Sequence, residues 1–379
     1  MSDARILSVR CVLLRLPLPR PIRGPFGALS ARPNLVAVVE TSAGARGLGE
    51  IWANFPPWGP QERAAIVEEA IRPLLEGETL DDPSRFHALM HARLRLLANQ
   101  WGAPGPVHQA IAGVDIALWD AFAQARGVPL ARLLHPAGAP RMRLPVYASG
   151  IRADAAATIE AARRRGHQRF KLQTAFSIEE NRRLLREGRE AAGDAPLMTD
   201  ANQTFTRESL AALRDDLVAA RLLWVEEPFP VDDLQAYRDW PRELGLPLAF
   251  GENARGIDGL DEVIALGADV VQPDITKTAG ITAGLEIGRR VVAAGRKLCL
   301  HMYGGGLGVL ASAHLTAAID GAHWLETDAN ENPLYDEVFS PAIRIAGGEL
   351  ELPPGPGLGV ALRDDAVARY GVDARRGGA

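Results

Sequence analysis

Short apolar runs that end in a polar residue recur through the second half of the chain. Two examples are the run 222–225, which is followed by Glu226, and the run 298–300, which is followed by His301. The polar residues that end such runs lie 22 to 29 residues apart, by subtraction of their numbers; they are Lys171, Asp200, Glu226, Glu252, Asp274, His301 and Glu326. A β-strand, a crossover helix and two loops need about that many residues. The pattern therefore predicts a repeated β/α array with one polar group at the end of each strand.

The spacing predicts eight strands that close into a barrel. Their centres fall near residues 146, 171, 199, 225, 250, 272, 299 and 325, so we expect the barrel over residues 143–341. Helices are expected between the strands, for example over 177–192, where Ser177 and Glu180 have the spacing of a capping box. In a (β/α) barrel, the carboxyl ends of the strands form the active-site face. The polar residues at the strand ends are therefore expected to face one common site.

Strands precede helices in the first third of the chain. Alternating apolar residues predict three strands within residues 5–51, and helical spacing follows from 61 to about 132. This order predicts a separate α+β unit, residues 1–135, ahead of the barrel. Residues 342–379 contain short strands and turns without a further β/α unit, so we expect them to pack back on the N-terminal unit.

Composition narrows the class of protein. The chain has 379 residues, of which 47% are hydrophobic and 23% are charged, as in an ordinary globular protein. A formal net charge of -5 gives no sign of nucleic-acid binding, and no run of about 18 apolar residues is present to span a membrane. Two cysteines, Cys11 and Cys299, are too few for a disulfide framework, and the first residues lack the apolar core of a signal peptide. We therefore expect a cytoplasmic protein.

Three carboxylates end three consecutive predicted strands. Asp200, Glu226 and Glu252 would then lie side by side at the mouth of the barrel. Mg²⁺ binds carboxylate oxygens of this kind and keeps open positions for water or substrate. Salt bridges to Arg or Lys at the mouth are the alternative for any one of them. The three together favour a site for one Mg²⁺ ion.

Asp274 and His301 end neighbouring predicted strands. An aspartate beside a histidine fixes the tautomer of the imidazole and raises its basicity, so His301 is a candidate general acid or base. The glycines 304–306 that follow would let a substrate approach the backbone. An interior packing role is the alternative for His301, and we expect the remaining histidines to be surface or packing residues.

Several motifs, in order over almost the whole chain, resemble the mandelate racemase subgroup of the enolase superfamily. They are Gly113–Asp120, Thr199–Asn202, Trp224–Pro228, Gly251–Asn253, Gln272–Lys277, His301, Ala322–Glu326 and Pro353–Gly359. Each motif is weak alone, and their order and spacing make the resemblance specific. The resemblance implies an α/β fold: a modified (β/α)8-type TIM barrel of the (β/α)7β form. An α+β N-terminal capping domain, completed by the C-terminal segment, would accompany it.

The resemblance also implies roles for the site residues. The three carboxylates would bind Mg²⁺, and Asp274 with His301 would form an acid/base dyad. Glu326 would contact the substrate carboxylate, while Asn202 and Lys277 would be polar contacts near the substrate. Enzymes of this kind abstract the proton next to a carboxylate, and Mg²⁺ stabilises the enediolate that results.

The second barrel strand departs from the family pattern. That strand usually reads Lys-X-Lys, and its second lysine is a base on the opposite face of the substrate. Here the strand carries Lys171 and then Gln173. A glutamine cannot accept a proton from carbon, so Gln173 would only contact substrate, and His301 would be the single competent base. In the competing alignment the register is shifted and Lys171 is the base.

The N-terminal unit is expected to cover the mouth and to set specificity. Arg20 and Arg23, in its first loop, could hold a second carboxylate of the substrate. Trp52 and Phe55, in its second loop, could exclude water or stack on a sugar face. The alternatives are solvated arginines and aromatic residues that only pack the lid.

Taken together, these features favour a Mg²⁺-dependent hydro-lyase that converts a sugar acid, an aldonate or aldarate, into a 2-keto-3-deoxy acid. A racemase, epimerase or cycloisomerase would share the intermediate and end differently. A metal-binding barrel that has lost catalysis is a third alternative, for which Gln173 is the argument. The expected partner is a small carboxylate substrate, and barrels of the family commonly associate, so we expect a homo-oligomer by analogy.

Overall fold

An antiparallel sheet forms the first part of the chain in the computed structural model, which describes residues 4–24 and 27–374. Its first three strands are β1 (Ile6–Gly24), β2 (Gly27–Thr41) and β3 (Arg46–Ile51). β2 lies between β1 and β3. Residues 34–39 of β2 and 47–51 of β3 are buried without alternation, so both faces of the sheet are covered there. On one face of β2, Leu35 and Val39 pack in one core cluster, and on the other face Val36 and Val38 pack in another.

Helices follow this sheet, as the sequence predicts for an α+β unit. They are α1 (Gly59–Ala65), α2 (Arg72–Leu75), α3 (Pro83–Trp101), α4 (Pro104–Ala125) and α5 (Leu130–Leu134), and a π-helical segment (Ile66–Ile71) joins the first two. Asp82 caps α3 by accepting a hydrogen bond from the Ser84 backbone at 2.9 Å. Gly102, in the left-handed conformation with φ 72°, ends that helix.

Two glycines let β3 and α4 approach closely. A Cβ atom on Gly49 would lie 1.9 Å from the carbonyl oxygen of Gly113, a distance that no side chain can adopt. Because α4 also contacts the barrel, this close packing fixes the end of β3 above the barrel. The loop after β3 is thereby brought to the mouth.

Eight parallel strands form the barrel within the described residues. They are β4 (Arg143–Ile151), β5 (Phe170–Gln173), β6 (Leu197–Asp200), β7 (Val225–Glu226), β8 (Leu248–Phe250), β9 (Val270–Val271), β10 (Lys297–Leu298) and β11 (Leu325–Asp328). Neighbours pair in sequence order from β4 to β10, and β11 pairs with β4. A bridge between Leu300 and Leu325 completes the ring. The predicted barrel is confirmed.

A helix follows each of the first seven barrel strands. These are α6 (Ala155–Arg164), α7 (Ile178–Ala192), α8 (Arg207–Ala219), α9 (Leu234–Arg238), α10 (Gly256–Ala265), α11 (Gly280–Ala293) and α12 (Gly306–Ala317). A 3₁₀ turn (Arg242–Leu244) and a π-helical turn (Ile275–Ala279) lie in the loops. The capping box predicted for Ser177 and Glu180 is present at the start of α7.

The C-terminal segment makes two different sets of contacts. Its elements are β12 (Phe339–Ser340), β13 (Arg344–Ala346), β14 (Glu349–Glu351), β15 (Ala361–Leu362), α13 (Asp364–Tyr370) and β16 (Gly371–Val372). β16 pairs with β1 of the N-terminal sheet. Leu358 donates its N–H to Asp120 of α4 at 2.7 Å. These later residues of the segment therefore contact the N-terminal unit.

The hairpin of β13 and β14 does not follow the expectation that residues 342–379 pack back on the N-terminal unit. β14 instead pairs with residues 143–145 at the start of β4. That part of β4 extends beyond its pairing with β11, which begins at Val146, and its backbone groups need partners. The boundaries of the predicted domains, 1–135, 143–341 and 342–379, stay a prediction.

Within the part of the chain that is described, no helix combines the length and the apolar character needed to cross a bilayer.

Candidate active site

A cavity of about 320 Å³ opens where the carboxyl ends of the barrel strands face the N-terminal unit. Polar residues of the barrel line one part of it, and they include Gln173, Asp200, Asn202, Glu252, Lys277, His301 and Glu326. Mainly apolar residues of the N-terminal unit line the other part: Ile22, Leu29, Trp52 and Phe55. The cavity is therefore a polar floor under an apolar and aromatic cover.

Hydrogen bonds dock the aromatic loop of the N-terminal unit on the barrel. The backbone N–H of Trp52 donates to the carbonyl oxygen of Thr276 at 3.1 Å. The Asn54 side chain donates to the carbonyl oxygen of Tyr303 at 2.6 Å. Both acceptors follow barrel strands, so the loop position is tied to the residues that line the mouth.

The glycines 304–306 serve a different purpose from the one expected. Glu50 is buried and accepts the N–H groups of Gly305 at 2.6 Å and Gly308 at 2.9 Å. A Cβ atom on Gly304 would lie 2.3 Å from Oε1 of Glu50. The expectation that these glycines make room for substrate is thus wrong for Gly304 and Gly305, which make room for Glu50 of β3.

Asp200, Glu226 and Glu252 come together at the ends of β6, β7 and β8. Asp200 pairs in register with Glu226, and one carboxylate oxygen from each of the three residues lies within 4.8 Å of the others. An all-oxygen set of this kind suits a hard divalent cation. The three residues predicted as ligands can therefore hold one metal ion.

Lys171 lies beneath this carboxylate group. Its Nζ is 2.6 Å from Oε1 of Glu226, 2.7 Å from Oε1 of Glu326 and 3.8 Å from Oδ2 of Asp200, and the residue is 1% exposed. Burial alone would lower the pKa of Lys171, but these carboxylates hold it well above its usual value. These contacts occupy the ammonium group of Lys171 and balance carboxylate charge. They favour a charge-compensating role, and the alternative alignment that makes Lys171 the base stays a prediction.

Gln173 occupies the position on β5 that faces the cavity, in register with Asp200. Its carbonyl oxygen accepts a hydrogen bond from Nε of Arg152, and its amide donates to Oδ1 of Asn202. Asn202 in turn donates its amide to Oδ2 of Asp200 at 2.9 Å. A directional chain of neutral amides thus links Arg152 to the carboxylate group.

His301 and Asp274 form the expected pair. Nδ1 of His301 lies 2.8 Å from Oδ2 of Asp274, and its Nε2 lies 2.7 Å from Oε2 of Glu252. Burial would lower the pKa of His301, but Glu252 and Glu326 hold it well above its ordinary value. Asp274 engages Nδ1, whereas Nε2 contacts Glu252, one of the three carboxylates that could hold a metal ion. Nε2 would become available to a molecule in the cavity if Glu252 bound a metal ion instead.

Glu326 faces the cavity from β11. Its Oε2 accepts the N–H of Met302 at 3.1 Å and the hydroxyl of Tyr147 at 3.3 Å. Burial would raise the pKa of Glu326, but Lys171 and His301 hold it below its ordinary value. This environment favours the ionised form of Glu326, and its Oε2 accepts hydrogen bonds in this arrangement.

Of the other residues predicted to contact substrate, two line the cavity and two have side chains that the structure does not describe. Lys277 lines the cavity, where its Nζ lies 2.6 Å from Oδ1 of Asn253 and 4.7 Å from the centroid of the Trp52 ring. Trp52 therefore lies at the site, as expected. The side chains of Arg20 and Arg23 lie outside the described part of the structure, so their predicted role stays a prediction.

The structure adds cavity residues that the sequence argument missed. Arg152 and Ser149 come from the end of β4 and the loop after it, and Tyr303 follows His301 by two residues. The alternation of strand side chains could have identified Tyr303, just as it paired Lys171 with Gln173. Arg152 follows an irregular turn at Gly150, which has φ 82°. The alternation of strand side chains is interrupted there, so the sequence pattern does not predict that Arg152 faces the cavity.

Comparison with known proteins agrees with this geometry. Residues 7–135 match the family model described as the mandelate racemase/muconate lactonizing enzyme N-terminal domain, and residues 154–366 match the enolase C-terminal domain-like model. The D-galactarolactone cycloisomerase of Agrobacterium fabrum is 27% identical, over 97% of this chain and 98% of its own. The arabinonate dehydratase of Saccharolobus solfataricus is 28% identical, over 88% of this chain and 89% of its own.

A solved structure shows the same fold. The enolase from Bradyrhizobium, complexed with magnesium and mandelic acid, is 30% identical and has a TM-score of 0.86. The match covers 98% of this chain and 100% of that one. The family models that match the two parts of the chain, and the arrangement of the site, thus agree on one family. The chain belongs to the mandelate racemase/muconate lactonizing enzyme family of the enolase superfamily.

Proposed function

We propose that this protein is a Mg²⁺-dependent dehydratase of a sugar acid, with His301 as its single proton-transferring base. One observation carries the proposal. The oriented pair of Asp274 and His301 lies beside an oxygen-ligand group, while the opposite position on β5 is held by a glutamine. Both a dehydratase and a cycloisomerase are among its relatives, so removal of a proton next to a carboxylate is supported at the level of the family.

The ligands would be Asp200, Glu226 and Glu252. A bound Mg²⁺ ion would stabilise the negative charge that the substrate carboxylate gains when the neighbouring carbon loses its proton. The magnesium in the Bradyrhizobium relative supports this choice of metal. Lys171, held between Glu226 and Glu326, would fix these carboxylates without taking part in proton transfer.

His301 would carry out both proton steps. Nε2 takes the proton from the carbon next to the carboxylate, and the electron pair of the broken C–H bond moves onto the carboxylate group. The pair then returns to form a double bond to the following carbon as its C–O bond breaks, and the hydroxyl leaves as water with the proton that His301 carries. The enol product tautomerises to a 2-keto-3-deoxy acid, and the neutral imidazole is restored. One correctly placed base is sufficient for this sequence.

To test the proposal, the protein and Mg²⁺ would be incubated with a library of aldonic and aldaric acids, and the masses of the products would be measured by mass spectrometry. We expect one or more acids to lose 18 mass units, and His301→Asn to abolish this loss. The control Asp261→Asn, at a half-exposed residue of α10 that pairs with Arg290, is expected to retain it. Products of unchanged mass from every acid that reacts would overturn dehydration.

A cycloisomerase is the second candidate, and the cover of the cavity favours it. Ile22, Leu29, Trp52 and Phe55 present an apolar face toward the polar floor, which suits a ring or an unsaturated chain better than a fully hydroxylated one. The Agrobacterium relative is named as a cycloisomerase. An isomeric product of unchanged mass, with an opened or closed ring, would select this candidate. A protein that exchanges no substrate proton would instead support the barrel without catalysis.

A further inference from the structure

Arg152 differs from the other cations around the cavity. Lys277 pairs with Glu252 at 3.2 Å, and Lys171 pairs with Glu226. Arg152 also lines the cavity, yet its contacts are the side chain of Gln173 and, at 3.5 Å, the carbonyl oxygen of Gly150. Among the described side chains no carboxylate pairs with its guanidinium. A half-buried guanidinium at a cavity wall therefore retains unused hydrogen-bond donors and an uncompensated charge.

Gln173 fixes the direction of this guanidinium. Its carbonyl oxygen accepts from Nε of Arg152, and its amide is held by Asn202. The amide group therefore cannot rotate without losing one of the two bonds. With Nε engaged, and with one terminal nitrogen making only the 3.5 Å contact with Gly150, the terminal nitrogens of Arg152 keep N–H donors for a ligand. Their geometry suits the two oxygens of a carboxylate.

The identity of residue 173 agrees with this arrangement. A lysine at that position would place a second cation within hydrogen-bond distance of Arg152, and the two charges would repel. A neutral glutamine satisfies Nε and leaves the positive charge of Arg152 available. The presence of a glutamine at position 173 thus has two explanations. It is the hydrogen-bond partner of Arg152, and a reaction with a single base does not need a lysine there.

We infer that Arg152 binds a second carboxylate of the substrate, so that the natural substrate is a diacid. This inference rests on the proposed function, because it assumes that the first carboxylate is the one next to the carbon that loses its proton. Arg152 follows β4 and His301 follows β10, so the two groups address different edges of the cavity. The single positive charge of one unpaired guanidinium balances the single negative charge of a carboxylate. It would balance only half the charge of a phosphate dianion, and the carboxylates of the floor would repel the remainder.

Binding without turnover tests the inference independently of the reaction. In a His301→Asn background with Mg²⁺, calorimetry would compare aldarates with the aldonates that differ only in a terminal CH₂OH. We expect at least one aldarate to bind roughly 10- to 100-fold more tightly than its aldonate. Arg152→Gln is expected to abolish that preference, and Arg152→Lys to keep part of it. The control Arg183→Gln, on the exposed face of α7, is expected to keep it in full.

Two results would overturn the inference. One is that no aldarate binds more tightly than its aldonate, and the other is that the preference survives Arg152→Gln. In the native background, Arg152→Gln should raise KM for the diacid by a similar factor and leave KM for the monoacid within about threefold. Equal losses on both acids would show that Arg152 serves the first carboxylate or the structure alone. A preserved binding preference in a protein that never exchanges a substrate proton would refute the proposed function and leave the inference standing.

Discussion

Nδ1 of His301 lies 2.8 Å from Oδ2 of Asp274, and the other oxygen of Asp274 accepts two hydrogen bonds from Thr276, at 2.7 and 2.8 Å. Asp274 is completely buried. The carboxylate is therefore fixed before it orients the imidazole, and Nε2 of His301 is directed at Glu252, 2.7 Å away at the cavity floor.

Asp274→Asn is expected to lower kcat for substrate proton exchange roughly 10²- to 10⁴-fold, with KM nearly unchanged. An asparagine can rotate its amide toward Nδ1 and favour the wrong tautomer, while the cavity keeps its shape. Steady-state kinetics on a reactive acid would measure both constants. Asp261→Asn is the matched control, and a kcat equal to that of the control would contradict the assigned role of Asp274.

Mg²⁺ is expected to raise the unfolding temperature of the native protein, and Asp200→Asn is expected to remove most of this increase. The metal binds the folded carboxylate group and not the unfolded chain, so it stabilises the fold by mass action. Thermal unfolding with EDTA and with excess Mg²⁺ would provide the comparison. Asp194→Asn, which changes an exposed carboxylate, should retain the full increase. An equal increase in Asp200→Asn would place the metal elsewhere.

Gln173→Ala is expected to lower kcat for proton exchange less than about tenfold, while His301→Asn lowers it more than about 10³-fold. The glutamine contacts Arg152 and Asn202 and has no basic atom for a carbon-bound proton. Parallel kinetic measurements on one substrate would compare the two variants. A loss in Gln173→Ala as large as that in His301→Asn would contradict the single-base account.

Glu50→Gln is expected to destabilise the protein by about 1–3 kcal/mol. Glu50 accepts two backbone N–H groups at the start of α12, and an amide can satisfy only one of them with its oxygen. The midpoint of urea unfolding would report the change. Glu160→Gln, at an exposed residue that forms a surface pair with Arg164, should change it little. Equal midpoints for the two variants would show that Glu50 does not anchor the N-terminal unit.

His314→Gln is expected to weaken the loss of stability in mild acid. Nδ1 of the buried His314 accepts the N–H of Ala131 at 3.1 Å, and burial lowers its pKa from 6.5 to about 4. Between these pH values the unfolded chain binds a proton that the folded chain does not. The contribution of His314 is therefore complete above pH 6.5 and decreases as the pH falls toward 4.

At pH 5 the free energy of unfolding has lost about 2 kcal/mol of the His314 contribution that is present at neutral pH. Nε2 of His314 also lies 3.3 Å from the carbonyl oxygen of Leu358, and the amide of a glutamine offers a donor and an acceptor for these two partners. Urea unfolding at pH 5 and pH 7.5 would compare the native protein with His314→Gln. The same pH dependence in both proteins would contradict this role for His314.

The sequence predicted the barrel and the residues at its mouth because seven of its eight strands, β5 to β11, present the same local signal. A short apolar run, ended by a polar side chain, requires no knowledge of distant contacts. The carboxylates Asp200, Glu226 and Glu252 and the pair of Asp274 and His301 follow from that signal, and the structure brings them together.

The features that the sequence did not reveal depend on contacts between distant segments. The role of Gly304 follows from Glu50, which lies about 250 residues earlier. Arg152 leaves its strand through an irregular turn, so no periodicity points it toward Gln173. The hairpin of β13 and β14 pairs with β4 because β4 extends beyond its barrel neighbour β11. The number of predicted strands does not reveal this difference in strand length.

Proton exchange in D₂O tests the central claim, that His301 removes a proton next to a carboxylate, most directly. The native protein, His301→Asn and Gln173→Ala would be incubated with Mg²⁺ and a panel of acid sugars, and deuterium at the substrate carbon or in the product would be followed by mass spectrometry and NMR. We predict deuterium incorporation or water loss with the native protein and Gln173→Ala, and neither with His301→Asn. Exchange at an undiminished rate in His301→Asn would contradict the account.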